Sequence, residues 1–445
     1  MAPSKKKFKV NGYRRSVRLM EKAFRKNPIE HVNDDCLLQV FSYLNLKDWI
    51  ACEQVSTQFR NLITSTYHKY KVLDLVKEEW STLAMAKIIC AKIGPYVQTL
   101  RADYSEKLPP SDFTPLILIE IFGKCHNLQH IWINDINLDS DVYSALRILC
   151  ERKQENNFDP IKSIKMISCG VSDLCDSFID FIQKGHIESY DLSCNERITG
   201  RCLSFLNNVK NVNLNLCKII ERNHFIDFCG RNTTLATLRI MGSSNWDQSC
   251  INIIAEKLLN LTELALHCHE LMDIDDVSVL ADLPKLVRLE FLSCSRLGVP
   301  LFQRLAHHNR LKELCWKFYS LAKVLNVDEL GIPEIFSCSM KIRSLTTYAN
   351  CRDDEFSDVH LREATMENLQ KMHISHTSVT NEGIYHFILA HPSLDYVDLS
   401  YCKHITDTFA ELIIPHLQDD FKNLLIDTTG TNMSKNHQNI LFMLK

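Results

Sequence analysis

The sequence predicts an α/β solenoid, a horseshoe with parallel strands on its concave face and helices on its convex face, preceded by a small all-α unit. Three observations predict it. A pattern of the form L-x-x-L-x-L-x-x-C/N recurs at intervals averaging 27 residues over most of the 445-residue chain. Within each interval, apolar and polar residues first alternate, as on a short strand, and then take up helical spacing. The first seventy residues carry no copy of the pattern, yet place apolar side chains on more than one helical face between Val32 and Ile63.

In chain order, a basic leader comes first, over residues 1–28. Residues 1–26 hold ten Lys or Arg against one Glu, so a net charge of −3 for the whole chain leaves −12 for the remainder. Lys5, Lys6, Lys7, Lys9, Arg14, Arg15 and Arg18 suit a nuclear-import signal or contact with an acidic surface; a solvated, disordered leader accounts for the same run. The start, MAPSKKKFKV, lacks the apolar stretch of a signal peptide, and eighteen cysteines spread over the chain do not form a compact disulfide framework. A cytoplasmic or nuclear location is expected. There is no run of about 18 uncharged apolar residues, so no membrane span is expected.

Residues 29–69 form the all-α unit. Leu37, Leu38, Val40, Phe41 and Leu44 precede a turn at Asn45, and Trp49, Ile50, Val55, Phe59 and Leu62 follow it, which fits two or three short helices. A unit of about forty residues cannot enclose that many apolar side chains alone. Part of the surface must pack on the first repeat or on a partner.

The repeats fill residues 70–445. Copies start at Val97, Leu128, Ile161, Ile187, Val209, Leu235, Leu261, Leu286, Leu311, Ile342, Leu369, Leu394 and Phe421, with a degenerate copy at Tyr70. Ile384, Phe387, Ile388 and Leu389 recur at helical intervals, and Thr380 stands where an N-cap hydroxyl closes the first turn; Thr199 and Thr406 hold the same place in their repeats. One strand and one helix cannot bury their own apolar faces, so the units stack. Insertions are expected near 106–115, 150–160 and 326–334, where the spacing lengthens and "KLPPSDFTP", "ERKQENNFDP" and "LGIP" bring Pro or charge.

Cys169, Cys217, Cys294 and Cys402 fall where the chain leaves its strand, with Asn195 and Asn350 in their place elsewhere. A small buried thiol or a bonding amide suits that position. Metal ligation would need companions that are missing: there is no C-x-x-C, and neither the His373/His376 pair nor the "HCH" run at 267–269 has further ligands at zinc-site spacing. Phosphate-binding glycine loops, G-x-S-x-G and H-E-x-x-H are likewise absent from the sequence. No cofactor, no metal and no catalytic residue is expected. The acidic balance of the repeats disfavours nucleic acid.

These repeats resemble the cysteine-containing leucine-rich repeats, over residues 70–445. The helical unit resembles an F-box in the order Val32-Asn33, Cys36-Leu37, Val40-Phe41-Ser42-Tyr43-Leu44, Asp48-Trp49, Val55-Ser56 and Phe59-Arg60, with Asn33 for the usual Pro, Val32 for Leu and Trp49 for Leu. The resemblance implies a non-catalytic substrate receptor of a ubiquitin ligase complex. Val32, Leu37, Val40, Phe41, Leu44, Trp49, Val55 and Phe59 would then meet a Skp-type adaptor and, through it, a cullin scaffold, while the repeats hold a target protein for ubiquitination. The alternative is a leucine-rich-repeat scaffold or inhibitor without any ubiquitin-ligase role.

Alternation along each strand turns the third, fifth and seventh positions of a repeat onto the concave face. His130, Trp132, Arg239, Arg288, Glu290, Tyr348, Lys371, His373, Tyr396 and Asp398 occupy those columns. Rings and guanidinium groups dominate interface energetics. Tyr348, His373 and Tyr396, on consecutive repeats, are therefore the leading candidates for target binding, with Trp132 and Arg239 next.

Overall fold

A computed structural model describes residues 32–77, 82–104, 115–243, 245–267, 276–292, 298–308, 310–318, 342–349, 357–362, 366–419 and 423–437. The basic leader, Cys294, Asn350 and the expected insertions near 106–115, except Pro115 itself, and 326–334 lie outside them.

Three short helices come first: α1 (Asp34–Phe41), α2 (Leu46–Cys52) and α3 (Thr57–Thr66). Each begins with a side-chain cap, in which Asn33, Asn45 and Ser56 accept from the backbone N–H of Asp35, Asp48 and Phe59. Fourteen parallel strands follow in one sheet whose spatial order is the chain order, β1 (Val72–Asp74) through β14 (Leu425–Asp427). The α/β horseshoe expected from the repeats is therefore observed, with an α-helix or a 3-10 turn between most neighbouring strands.

Thirteen of the fourteen strands begin two residues after the repeat start read from the sequence, from Val72 after Tyr70 to Tyr396 after Leu394. The last is shifted. Tyr396 pairs with Leu425 and Val397 with Ile426, which moves the final repeat's start from Phe421 to Asn423. In "LLID" either Leu424 or Ile426 could fill the fourth position; the turn after the strand decides. Asp427 accepts from the N–H of Thr429 at 2.9 Å and its hydroxyl at 2.7 Å, as Asp398 accepts from Ser400 N–H at 2.9 Å and Asp191 from Ser193 at 3.1 Å. Asp at the fifth position, followed two residues later by Ser or Thr, thus folds the strand's exit.

The eighth position is left-handed in eight of the repeats: Asp135, Ser168, Cys194, Leu216, His376 and Tyr401 have φ between 55° and 62°, with Gly242 and Gly430 in the same place. Glycine is required at the second of those sites. A Cβ on Gly430 would meet the Tyr401 ring at 2.6 Å.

The ninth position then enters the core. Cys169, Cys217 and Cys402 are fully buried, and each thiol donates to a sixth-position carbonyl of the preceding repeat, Ile133 at 3.4 Å, Leu192 at 3.2 Å and Ile374 at 3.2 Å. Burial pushes the thiols of Cys169 and Cys217 up to about 12, so they stay protonated and act as donors. Asn195 makes the same lateral bond to Met166 at 2.6 Å and adds others: it donates to Leu192 at 2.8 Å and accepts from the N–H of Cys169 at 3.0 Å and of Val171 at 2.9 Å.

Thr380 caps its helix, accepting from Gly383 N–H at 3.4 Å. Thr199 and Thr406 bond first to the preceding repeat, to Asp173 at 3.1 Å and Asn381 at 2.8 Å. The insertion expected at 150–160 is mainly a longer helix, Ser140–Glu155, whose 16 residues continue through "ERKQE" before the chain turns at Asn157.

Candidate functional site

The helical unit has two faces. Leu37 and Phe41 on α1, Trp49 on α2 and Phe59 on α3 all point inward; Phe41 meets Phe59 edge-on at 5.0 Å between ring centres, and the Trp49 indole donates to the Phe41 carbonyl at 2.5 Å. Among the eight residues assigned to the adaptor face, these four belong to the unit's own core. Val32 and Leu44 are half-buried, while Val40 and Val55 are 55% and 67% exposed. Cys36 and Val40 lie at i and i+4 on α1 and Tyr43 follows just past its end; all three are exposed, and the Cys36–Val40 stripe is turned about 100° around the helix from Leu37 and Phe41. Tyr43 is 81% exposed. Residues chosen by apolarity alone include both faces; the period of the helix separates them.

The remaining side is joined to the solenoid. Glu53, almost fully buried, forms an ion pair with Lys92 of the first repeat helix (Leu83–Ile93) and accepts from the Tyr67 hydroxyl. Lys92 also lies 5.9 Å from the centre of the Tyr67 ring, and Trp49 packs on Tyr67 and Tyr70 at 6.3 and 5.8 Å. Neither Glu53 nor Lys92 stands out in the sequence, because the pair is 39 residues apart and neither residue belongs to the repeat pattern.

Leu37→Ala and Phe41→Ala are accordingly expected to loosen the helical unit by about 2–4 kcal/mol through the cavities they leave. Limited proteolysis should show earlier cleavage within residues 32–69 and an unchanged repeat array. Unaltered cleavage there would return both side chains to the surface.

On the concave face the fifth-position column runs Asp74, Arg101, Trp132, Lys165, Asp191, Asn213, Arg239, Ala265, Glu290, Cys315, Thr346, His373, Asp398, Asp427. Trp132 stands between two cations, with Arg101 5.5 Å and Lys165 4.6 Å from its ring centre. Its indole nitrogen is buried and has no hydrogen-bond partner among the described residues. Arg239 reaches over Ala265, which is too small to obstruct it, to Glu290 at 3.1 Å two strands away, and lies 3.8 Å from Glu263.

At the C-terminal end, His373 contacts the Tyr396 ring at 4.9 Å and bonds Asp398 at 3.4 Å. Burial alone would raise the Asp398 carboxyl, but the bonds from His373 and Ser400 outweigh it and hold it below the usual carboxylate value. Tyr348 is on β11 (Ser344–Ala349), paired with Lys317; its side chain is outside the described residues. Because Thr346 pairs with His373 and Lys371 with Tyr396, the three candidates lie on a diagonal and not in one column. Trp132 is nine strands from His373, about 40 Å along the sheet, so the five candidates do not form one site. His373 and His376 also separate: His376 follows the strand and stacks on Tyr401 at 4.6 Å.

Among the described residues, no group of three or more His, Cys, Asp or Glu is placed to hold a metal ion. No helix among them is long and apolar enough to cross a membrane.

The F-box domain family matches residues 29–71, and that segment is an F-box domain. No curated protein matches the chain. Among solved structures the chain is similar to one described as the crystal structure of the Rad7 and Elc1 complex in yeast, with 15% identity, 96% of this chain and 95% of that chain covered, and a TM-score of 0.46.

Proposed function

We propose that the chain is the substrate-recognition subunit of a Skp-cullin-F-box ubiquitin ligase, non-catalytic itself, with repeats of the cysteine-containing leucine-rich subclass. The observation that carries this reading is the division of the F-box: one side is occupied by the solenoid through Glu53 and Lys92, and the apolar stripe of Cys36, Val40 and Tyr43, with Val55 beyond, is left exposed on the other. Exposed apolar side chains at helical spacing suit a helical adaptor that lays its own apolar face against them. The adaptor recruits the cullin, and a target on the concave face is brought to the ubiquitin-conjugating partner by proximity. The thiol ladder of Cys169, Cys217 and Cys402 supports the repeat subclass, and buried free thiols suit a cytoplasmic or nuclear setting.

The test is co-expression with a Skp-type adaptor. A stable complex is expected from the wild type, and Val40→Asp combined with Tyr43→Ala should lower adaptor affinity by more than about tenfold while circular dichroism stays unchanged, since both side chains make no core contacts to lose. A soluble, monodisperse chain without adaptor affinity would favour a scaffold or inhibitor.

A further inference from the structure

The concave face is not uniformly filled. Between β9 (Arg288–Leu292) and β12 (Lys371–His373) the third and fifth positions of the two intervening strands include three short side chains, Cys315, Ser344 and Thr346, flanked on one side by Arg288 and Glu290 and on the other by His373. A hollow of about 200 Å³ results, lined by these six residues together with Glu313 and Leu314. That volume is below the range of roughly 300–1,000 Å³ typical of small-molecule sites, and it suits one long side chain.

Its chemistry is biased. Two carboxylates, Glu290 and Glu313, line the hollow against one guanidinium, Arg288, which Glu313 already engages at 3.3 Å. Glu290 is held by Arg239 from the far side, and His373 is tied to Asp398, whose lowered pKa keeps it anionic. Lys371, the next cation on β12, lies outside the lining. An entering anion would face both glutamates, whereas an entering cation meets Glu313, which is 48% exposed, and hydroxyl oxygens at Ser344 and Thr346 that accept hydrogen bonds. The Arg288–Glu313 pair is surface-exposed and weak, so it is readily exchanged for a cation from outside.

We propose that this hollow receives a lysine or arginine side chain of the target protein. The inference rests on the concave face being the target-binding surface.

The test uses the full chain on arrays of short random peptides that share one fixed residue: Lys, Arg, Ala or phosphoserine. Wild type should retain the Lys- and Arg-fixed sets about tenfold more strongly than the Ala-fixed set. Thr346→Trp, which fills the hollow, and Glu313→Lys, which reverses its charge from an exposed position, should both remove that preference. Glu196→Lys, an equal charge change on an exposed residue in another repeat, should preserve it. No preference for Lys or Arg, a preference for phosphoserine, or a preference that survives Glu313→Lys would each overturn the proposal. Adaptor capture is measured on the same preparations, which separates the two readings. Capture without the preference removes the hollow alone, and the preference without capture removes only the ubiquitin-ligase reading.

Discussion

Asn195→Ala is expected to destabilise the middle of the solenoid by about 3–5 kcal/mol. Its amide is buried and bonds both ways across the repeat boundary, donating to Met166 and Leu192 and accepting from Cys169 and Val171. Alanine leaves two backbone N–H groups and two carbonyls without those partners in a place where water does not reach. Asn195→Cys should cost less, because a thiol at this position makes the lateral bond to the preceding repeat, as at Cys217, although it supplies no acceptor for Cys169 and Val171. Urea unfolding and hydrogen exchange over residues 163–199 would establish the ranking. Equal losses for the two variants would mean that the lateral bond contributes nothing.

Leu399→Asp should be comparably damaging at the C-terminal end, by about 4 kcal/mol or more, since Leu399 is fully buried in the apolar core and burying a carboxylate there is costly. The preceding residue, Asp398, stands on the concave face as its place in the repeat predicts, yet it is not a free surface residue. Asp398 is only 6% exposed and accepts from Ser400 N–H and the His373 ring, so Asp398→Ala should cost about 1–2 kcal/mol. The sign with pH follows from its depressed pKa. Its contribution is fully present above the ordinary carboxylate value and is lost as pH falls through the lower folded value. Thermal unfolding from neutral to acid pH should therefore show wild type and Asp398→Ala converging. A constant difference between them would place the Asp398 contribution elsewhere than in its charge.

Most of the architecture was legible because a solenoid repeats its own evidence. A core position that is ambiguous in one repeat is settled by its equivalents, and thirteen strand starts follow directly from that period. The last repeat was misread because two apolar residues compete for one place, and only the Asp427–Thr429 turn distinguishes them. The F-box was legible in order and spacing, but its surface was not: Phe41 and Val40 are adjacent apolar residues with opposite fates, decided by the packing of α3 on α1. The hollow was hidden for another reason. It arises from small side chains on different strands that become neighbours only through register, and Cys315, Ser344 and Thr346 carry no signal as separate residues.

Glu53 joins the F-box to the first repeat by a buried ion pair and a phenol hydrogen bond, with Trp49 packed on Tyr67 and Tyr70 beside it. Such a seam ties the two units at several points at once. In the assembly proposed for this chain, the horseshoe would act as a rigid arm whose reach is counted in repeats, each adding about 5 Å along the sheet. The distance from adaptor to target would then be a mechanical constant of the chain, and a change at the Glu53 seam would turn a fixed arm into a swinging one without altering either end.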